Sequence, residues 1–507
     1  MSAIDWAIVG IYAIIVIAIG VIASRKQNNT DEYFRGSRQL PWWAIGFSII
    51  ATSFSAASLL GGPGEGYNFG LLWLQLQLGD LLGYGLVILL FLPFFMRLNL
   101  TTAYEYLERR FDGKTRSLGS LCFLLFVITR LGGLLYAASF AVSIVVGIPL
   151  PLAIIIVGSI SIIYTVTGGI AAVVWTDVLQ FGMIFVGLAA GIWAAASAVP
   201  GGLGELWAAA GEAGKLTVID PTWNPASIRS LPTALFAYGI LAFGVAGTNQ
   251  QSVQRYVSCA DLNDGRKAIF LGWFSGFLGV AATLILGVLL FGFYALNPDG
   301  LAGLDINADG TLAAADGILP HFIANQVPAG ASGLLVAAIF AAAMSSIDSA
   351  LHALATCMTV DFYQRYAKAP KSDAQSLQLA QWLIVVWGIL GIFAAFYVAS
   401  TGEDLLPFLV TYATLLLGPL LGLFLMGVLF PRINANGAFY GTVAAALILI
   451  VGTEAELLTF LPSGIWRSAF IAPVAVVLGL LISLLGKVPP ERSTKGLTLW
   501  SKGAVIE

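Results

Sequence analysis

Apolar residues dominate the chain in thirteen runs separated by short polar stretches: 4–24, 41–66, 70–97, 117–147, 150–168, 171–198, 231–252, 267–296, 330–362, 376–399, 404–430, 435–453 and 464–486. A helix needs roughly 20 residues to cross a bilayer, and the longest runs have room to tilt. The pattern predicts an all-α membrane protein with about thirteen transmembrane helices. Two runs are interrupted. Between Leu40 and Gly70 the hydroxyls of Thr52, Ser53, Ser55 and Ser58 fall near the middle, and between Ser230 and Tyr256 the stretch FGVAGTNQQSVQRY puts glycines and amides at membrane depth. Backbone leaves helical geometry inside a bilayer only where protein or a water-filled cavity satisfies its freed carbonyls and amides. A break there predicts a binding site, and small hydroxyls beside unwound carbonyls are hard oxygen ligands suited to an alkali cation. The plain alternative is a pair of glycine-rich packing helices. The interrupted runs are the second and the seventh; five is an odd number, so a repeat of five runs returns inverted, and two discontinuous helices then cross at a midplane site.

Charge sets the orientation. With the Arg25–Arg38 loop on the cytoplasmic side, twenty of the 24 Lys and Arg collect there, among them Arg25, Lys26, Arg110, Arg116, Arg255, Lys371 and Lys502. Lys215, Arg229 and Arg467 are left on the opposite side, and Arg130 lies inside a run. The positive-inside rule then places the amino terminus outside and the carboxyl terminus inside. Composition agrees, since 58% of the residues are hydrophobic and only 10% charged, which excludes a soluble globular chain of this length. The first run, Ile4–Ser24, lacks the basic start and small-residue cleavage site of a signal peptide and reads as a retained anchor. Cys122, Cys259 and Cys357 are too far apart for a disulfide framework or zinc site and read as packing residues. His321 and His352 stand in no nucleophile pattern and no phosphate-cradling glycine loop is present, so an enzyme or ATP-driven pump is unsupported. A channel would need a continuous polar stripe, and a sensor an attached soluble domain.

Five segments narrow the reading: DEYFRGSRQLPWWAIGFSIIATSFSA from Asp31, TAYEYLERRF from Thr102, YTVTGGIAAVVWTDVLQ from Tyr164, NQQSVQRY from Asn249 and AAIFAAAMSSIDSALHALATCMTVDFY from Ala337. Together, and in this order, they resemble the sodium/solute symporter family over nearly the whole chain. The resemblance implies a LeuT-type core of two inverted five-helix repeats working by alternating access. Residues 1–40 then form an extra amino-terminal span and loop, 41–198 the first repeat, 199–230 an external loop, 231–430 the second repeat with an external loop at 297–329, and 431–507 two further spans and a tail. Within the family the bacterial sialic acid transporters look nearest, because Arg130 stands where they use an arginine for the substrate carboxylate. PGEGY at Pro63–Tyr67 also looks like the monocarboxylate, vitamin and iodide branch.

The chemistry of Arg130 is compatible, because an arginine inside a span costs at least ~2.5 kcal/mol on insertion scales and needs a partner in the bundle interior. Its guanidinium fork matches a carboxylate; the competing reading is an internal pair with Asp80, in which case a neutral sugar becomes the better substrate. The resemblance implies further substrate contacts at Ser53, Ser55, Ser58, Trp73 and Gln77. It also implies a sodium site from the carbonyls of Ala51, Phe54 and Ala342 and the hydroxyls of Ser345 and Ser346. A second cation site is implied at Asp177, Ser345, Asp348 and Ser349, where Asp348 departs from the family's hydroxyl and, with His352 one turn on, keeps a proton open as the alternative ion. One charge moved down 100 mV is worth about 2.3 kcal/mol, so two sodium ions with a monoanion leave one net charge to exploit. The expectation is an inner-membrane sodium symporter of a small organic anion, a sialic acid or related acidic sugar first, with sodium- or proton-coupled uptake of a monocarboxylate or neutral sugar as the alternative. Its partners are that solute and the lipid bilayer, with no nucleic acid and no obligate protein partner indicated.

A separate expectation concerns Asp305–Asp316. Asp305, Asn307, Asp309, Thr311 and Asp316 occupy positions one, three, five, seven and twelve of an EF-hand spacing, with Gly310 at position six. A weak structural calcium site is one reading and an Asx-rich turn the other.

Overall fold

A computed structural model describes residues 1–24, 29–368, 372–401, 416–461 and 464–501. Residues 402–415, the start of the run expected at 404–430, lie outside the described residues, as do Arg25, Lys26, Lys371 and Lys502. The architecture is all-helical. Among the described residues nine helices are long and apolar enough to cross a membrane, and four shorter apolar helices accompany them.

The principal helices are α1 (Ala3–Ser24), α2 (Trp42–Ser53), α3 (Ala56–Phe69), α4 (Gln77–Leu86), α5 (Gly113–Val146), α6 (Leu150–Thr167) and α7 (Ile170–Ser197). They are followed by α8 (Gly239–Thr248), α9 (Gln250–Tyr256), α10 (Leu262–Leu296), α11 (Ala331–Cys357), α12 (Asp373–Thr401), α13 (Leu417–Leu429), α14 (Ala435–Glu454) and α15 (Gly464–Leu484). Apart from Asp348 and His352, α11 is built of apolar or small residues and is almost wholly buried, as befits a central helix. It packs on α7, α5 and α12, while α1 lies across α7 and α11. The peripheral helices turn large apolar side chains outward, for example Ile14, Ile22, Trp382 and Phe393, each more than 60% exposed; only hydrocarbon solvates such a surface. Cys122, Cys259 and Cys357 are buried and free, as their spacing implied.

Both interruptions are real. The ladder stops at Phe54 (φ −87°, ψ 93°) and Ser55 (φ −95°, ψ 175°) before resuming in α3. Hydroxyls prepare the break: Thr52 Oγ1 donates back to the Ser48 carbonyl at 2.8 Å and Ser53 Oγ to that of Ile49 at 3.2 Å, contacts that compete with the ladder and bend helices. The later interruption falls at Asn249 (φ −79°, ψ 122°), whose side chain accepts from the Gln251 amide at 2.9 Å and so starts α9.

Glycine brings α3 and α10 into contact. A Cβ on Gly66 would overlap the Leu284 carbonyl and one on Gly287 that of Pro63, so the two backbones touch. Gly287→Ala is expected to lower stability by about 1–3 kcal/mol through overpacking. Gly85→Ala, at a position with open space around it, is the control. Thermal melting in detergent checks the pair, and equal melting of both variants would refute the contact.

Candidate substrate and cation site

The break of α2 and α3 opens onto a cavity of about 350 Å³. Ser53, Ser55, Ser58, Trp73, Gln77 and Arg130, the six residues expected at the substrate, all line it, together with Glu65, Asp80, Tyr84, Tyr238 and Trp273. They arrive on different elements. The serines flank the break, Trp73 lies in the 3-10 segment Gly70–Leu76, Gln77 and Asp80 share a face of α4, and Arg130 projects from the middle of α5. Arg130 forms no ion pair with Asp80 or with any other described carboxylate. The Gln77 carbonyl accepts from Trp273 Nε1 at 3.3 Å.

Below the break, α2 and α11 meet through hydroxyls. Ser346 Oγ donates to the Thr52 carbonyl at 3.0 Å, and Ser345 Oγ to that of Ala342 at 3.2 Å. Phe54 N turns back to the Ile50 carbonyl at 2.7 Å. Among the described residues no backbone amide donates to the carbonyls of Ala51 and Phe54, as expected at a helix end. The Thr52 carbonyl of α2 and the Ser346 hydroxyl of α11 thus meet just before the break.

Of the four residues expected at a second cation, Ser345, Asp348 and Ser349 share α11, and Asp177 on α7 is joined to Ser349 through Arg255. Ser349 Oγ lies 2.7 Å from the Ser345 carbonyl, 3.3 Å from Asp348 Oδ1 and 3.1 Å from Thr52 Oγ1. The residue that sequence reasoning misplaced here is Arg255. Counted above with the cytoplasmic loops, it is only 1% exposed, on α9 between α2, α7 and α11. Its Nη2 sits 2.9 Å from Asp177 Oδ2 and also on Ser349 Oγ, Nε reaches Ser48 Oγ at 2.7 Å, and Nη1 the Gln251 carbonyl at 2.7 Å. Ser48 Oγ in turn donates to Asp177 at 2.5 Å. Arg110, placed with the same loops, is fully buried and donates to the carbonyls of Gly427, Phe430 and Ile433. Arg116, also only 8% exposed, pairs with Asp361 at 2.7 Å and Glu108 at 2.9 Å. His352 packs on Tyr33 with ring centroids 5.2 Å apart, and its Nδ1 lies 3.3 Å from Gln254 Nε2.

With this geometry in place, the sequence comparisons are decisive. The profile of the sodium:solute symporter family matches residues 33–445, more than half of the chain. The chain belongs to the sodium:solute symporter family. A sodium/sialic acid symporter of Aliivibrio fischeri is 33% identical over 447 residues, covering 87% of this chain and 86% of the relative. One from Proteus mirabilis is 31% identical, over 91% of this chain and 92% of its own. Among solved structures, the substrate-bound, outward-open state of a Na+-coupled sialic acid symporter superposes with a TM-score of 0.85 at 28% identity, over 96% of this chain and 99% of the other. The five motifs had implied this family, and its members are transporters, not enzymes.

In this member of the symporter family the acidic stretch Asp305–Asp316 gives calcium no support. It closes as a hairpin with one bridge, Ile306 to Leu312. Asn307 N donates to the Thr311 carbonyl at 2.8 Å, and Gly310, at φ +81°, turns the chain. Asp309 Oδ1 accepts from the Thr311 amide at 3.0 Å and hydroxyl at 2.6 Å, and these bonds hold its carboxyl below the usual carboxylate range. Its oxygens serve the turn, and among the described residues no group of three or more carboxylate, His or Cys side chains is placed to hold a metal ion. What the hairpin does is dock: Leu312 N donates to Asn68 Oδ1 at 2.9 Å and Asn68 Nδ2 to the Leu312 carbonyl at 3.1 Å. A second loop joins the same place, with Lys215 Nζ on the Asn68 carbonyl at 2.7 Å and the Lys215 carbonyl accepting from Leu71 N at 3.0 Å.

Proposed function

We propose that the chain is a sodium-coupled symporter of a small organic anion, with sialic acid or a related acidic sugar as its solute. The observation that carries this reading is a cavity-lining arginine, Arg130, that no described carboxylate neutralises, beside a break where the Thr52 carbonyl meets the Ser346 hydroxyl of α11. An uncompensated guanidinium in a low-dielectric bundle favours an anionic partner. The names of the Aliivibrio and Proteus relatives support the same solute class. In this reading Ser53, Ser55, Ser58, Trp73 and Gln77 contact the remainder of the solute. Sodium is cargo as well as driver, held by the Ala51, Phe54 and Ala342 carbonyls with Ser345 and Ser346. A second cation, sodium or a proton, belongs at Asp177, Ser345, Asp348 and Ser349, where Asp177 Oδ1 has no described hydrogen-bond partner.

The chain crosses a bacterial inner membrane about thirteen times as two inverted five-helix repeats flanked by one span before and two after, amino terminus outside. The charge asymmetry of the loops supports this orientation, although the buried Arg110, Arg116 and Arg255 contribute to cohesion rather than to topology. Uptake of N-acetylneuraminate into proteoliposomes tests the function. An inward sodium gradient should drive accumulation above equilibrium, and an equal potassium gradient should not. Accumulation indifferent to the cation, or none of any acid offered, would refute the reading.

A further inference from the structure

The cavity contains more charge than one arginine. Glu65 and Asp80 line it with Arg130. Glu65 is already engaged, since Arg229, from the loop before Ser230, grips it with Nε and with Nη2 at 2.8 Å and lies 3.4 Å over the Phe69 ring. A bidentate pair of this kind cancels the carboxylate's charge and fixes its direction. Asp80 has no such partner. Among the described residues it pairs with no cation, and Gln77 stands one turn before it on the same face of α4. A carboxyl group has two oxygens able to take several hydrogen bonds, and Asp80 brings them to the cavity lining. Tyr84 and Tyr238 line the cavity with Asp80, Arg130 and Ser53. Arg130 and the Asp80 carboxyl group, neither of them in an ion pair with a described residue, therefore share one space with the Tyr84 and Tyr238 phenols.

We infer that Asp80 is a second substrate-binding residue, accepting hydrogen bonds from hydroxyl groups of an acid whose carboxylate is held by Arg130. The inference rests on the anion reading above and sharpens it. A solute with only a carboxylate satisfies Arg130 and leaves Asp80 facing an apolar tail, which wastes acceptors that were solvated in the empty cavity. A polyhydroxylated acid satisfies both. An ammonium group would also find aromatic faces in this cavity, at Trp73 and Trp273, so competition by an amino acid is the outcome that separates the two solute classes. Sites built to hydrogen-bond a solute hydroxyl reject analogues that lack it far more strongly than apolar pockets reject a missing methylene. Asp80 thus sets the selection of polyol acids over simple monocarboxylates.

The test uses sodium-driven uptake of N-acetylneuraminate in proteoliposomes, with propionate and glycine as competitors, in wild type, Asp80→Asn and Asp80→Ala. The expected result is a KM for N-acetylneuraminate raised at least tenfold in Asp80→Ala and less in Asp80→Asn, which keeps the shape and one acceptor. Propionate should compete weakly with wild type, and the ratio separating it from N-acetylneuraminate should fall by the same factor in the variants. The sodium half-saturation should stay unchanged and serves as the check that each variant is folded; Asp80→Asn carries the test if Asp80→Ala is not. An unchanged KM and ratio in a sodium-responsive variant overturns the role of Asp80 while leaving anion transport standing. Stronger competition by glycine than by propionate in wild type overturns the hydroxyl assignment. Absence of wild-type uptake of either acid overturns the anion reading itself, and the role of Asp80 with it.

Discussion

Arg130→Ala raises the KM for the transported acid by roughly ten- to a hundredfold while the sodium half-saturation stays where it was. The magnitude follows from a charge-assisted contact worth ~1.5–3 kcal/mol, at 1.4 kcal/mol per tenfold. It is specific to the anion because Arg130 reaches the cavity from α5, whereas the carbonyls and hydroxyls assigned to sodium come from α2 and α11. Arg130→Lys separates charge from shape. It keeps the cation and loses the planar fork, so it recovers only part of the affinity. Binding of the acid and of sodium, measured separately by thermal shift, decides the matter, and an Arg130→Ala protein that takes up the acid normally removes the anchor.

The second large effect is on stability. Arg255→Ala leaves the Asp177 carboxylate, wholly buried, with only the Ser48 hydroxyl for company. Removing one member of a buried pair costs about 3–5 kcal/mol, chiefly because the charge left behind is uncompensated. Replacing both partners takes away that penalty, so Arg255→Ala with Asp177→Ala is expected to melt above Arg255→Ala alone. The comparison is a double-mutant cycle read by thermal unfolding in one detergent. If the two losses simply add, the pair is not what holds α9 against α7.

Different kinds of information explain what the sequence disclosed. The break at Phe54–Ser55 was legible because hydroxyl side chains in an apolar run are a local signal, and Arg130 because a charge inside such a run demands a partner, whether a solute or an internal carboxylate. Arg255 was hidden by the same logic turned round. NQQSVQRY is polar enough to read as the edge of a loop, yet every residue of α9 is buried, and its partner Asp177 lies 78 positions away on another helix. The Glu65–Arg229 pair spans 164 positions and joins a helix to a loop, a contact that no periodicity encodes. Asp305–Asp316 stayed open between calcium and an Asx-rich turn for a third reason, and the structure shows the turn. Spacing fixes which oxygens are available but not whether they converge on a cation or are consumed by Thr311 and its neighbours in a turn.

Asn68 ties the Leu312 hairpin and the Lys215 strand of loop to the end of α3, whose other end forms the pocket wall. Any tilt of that half-helix must therefore drag both loops with it as a single lever. An antibody fragment clamped onto the hairpin would accordingly act as a brake on the pocket, at a site no solute ever visits.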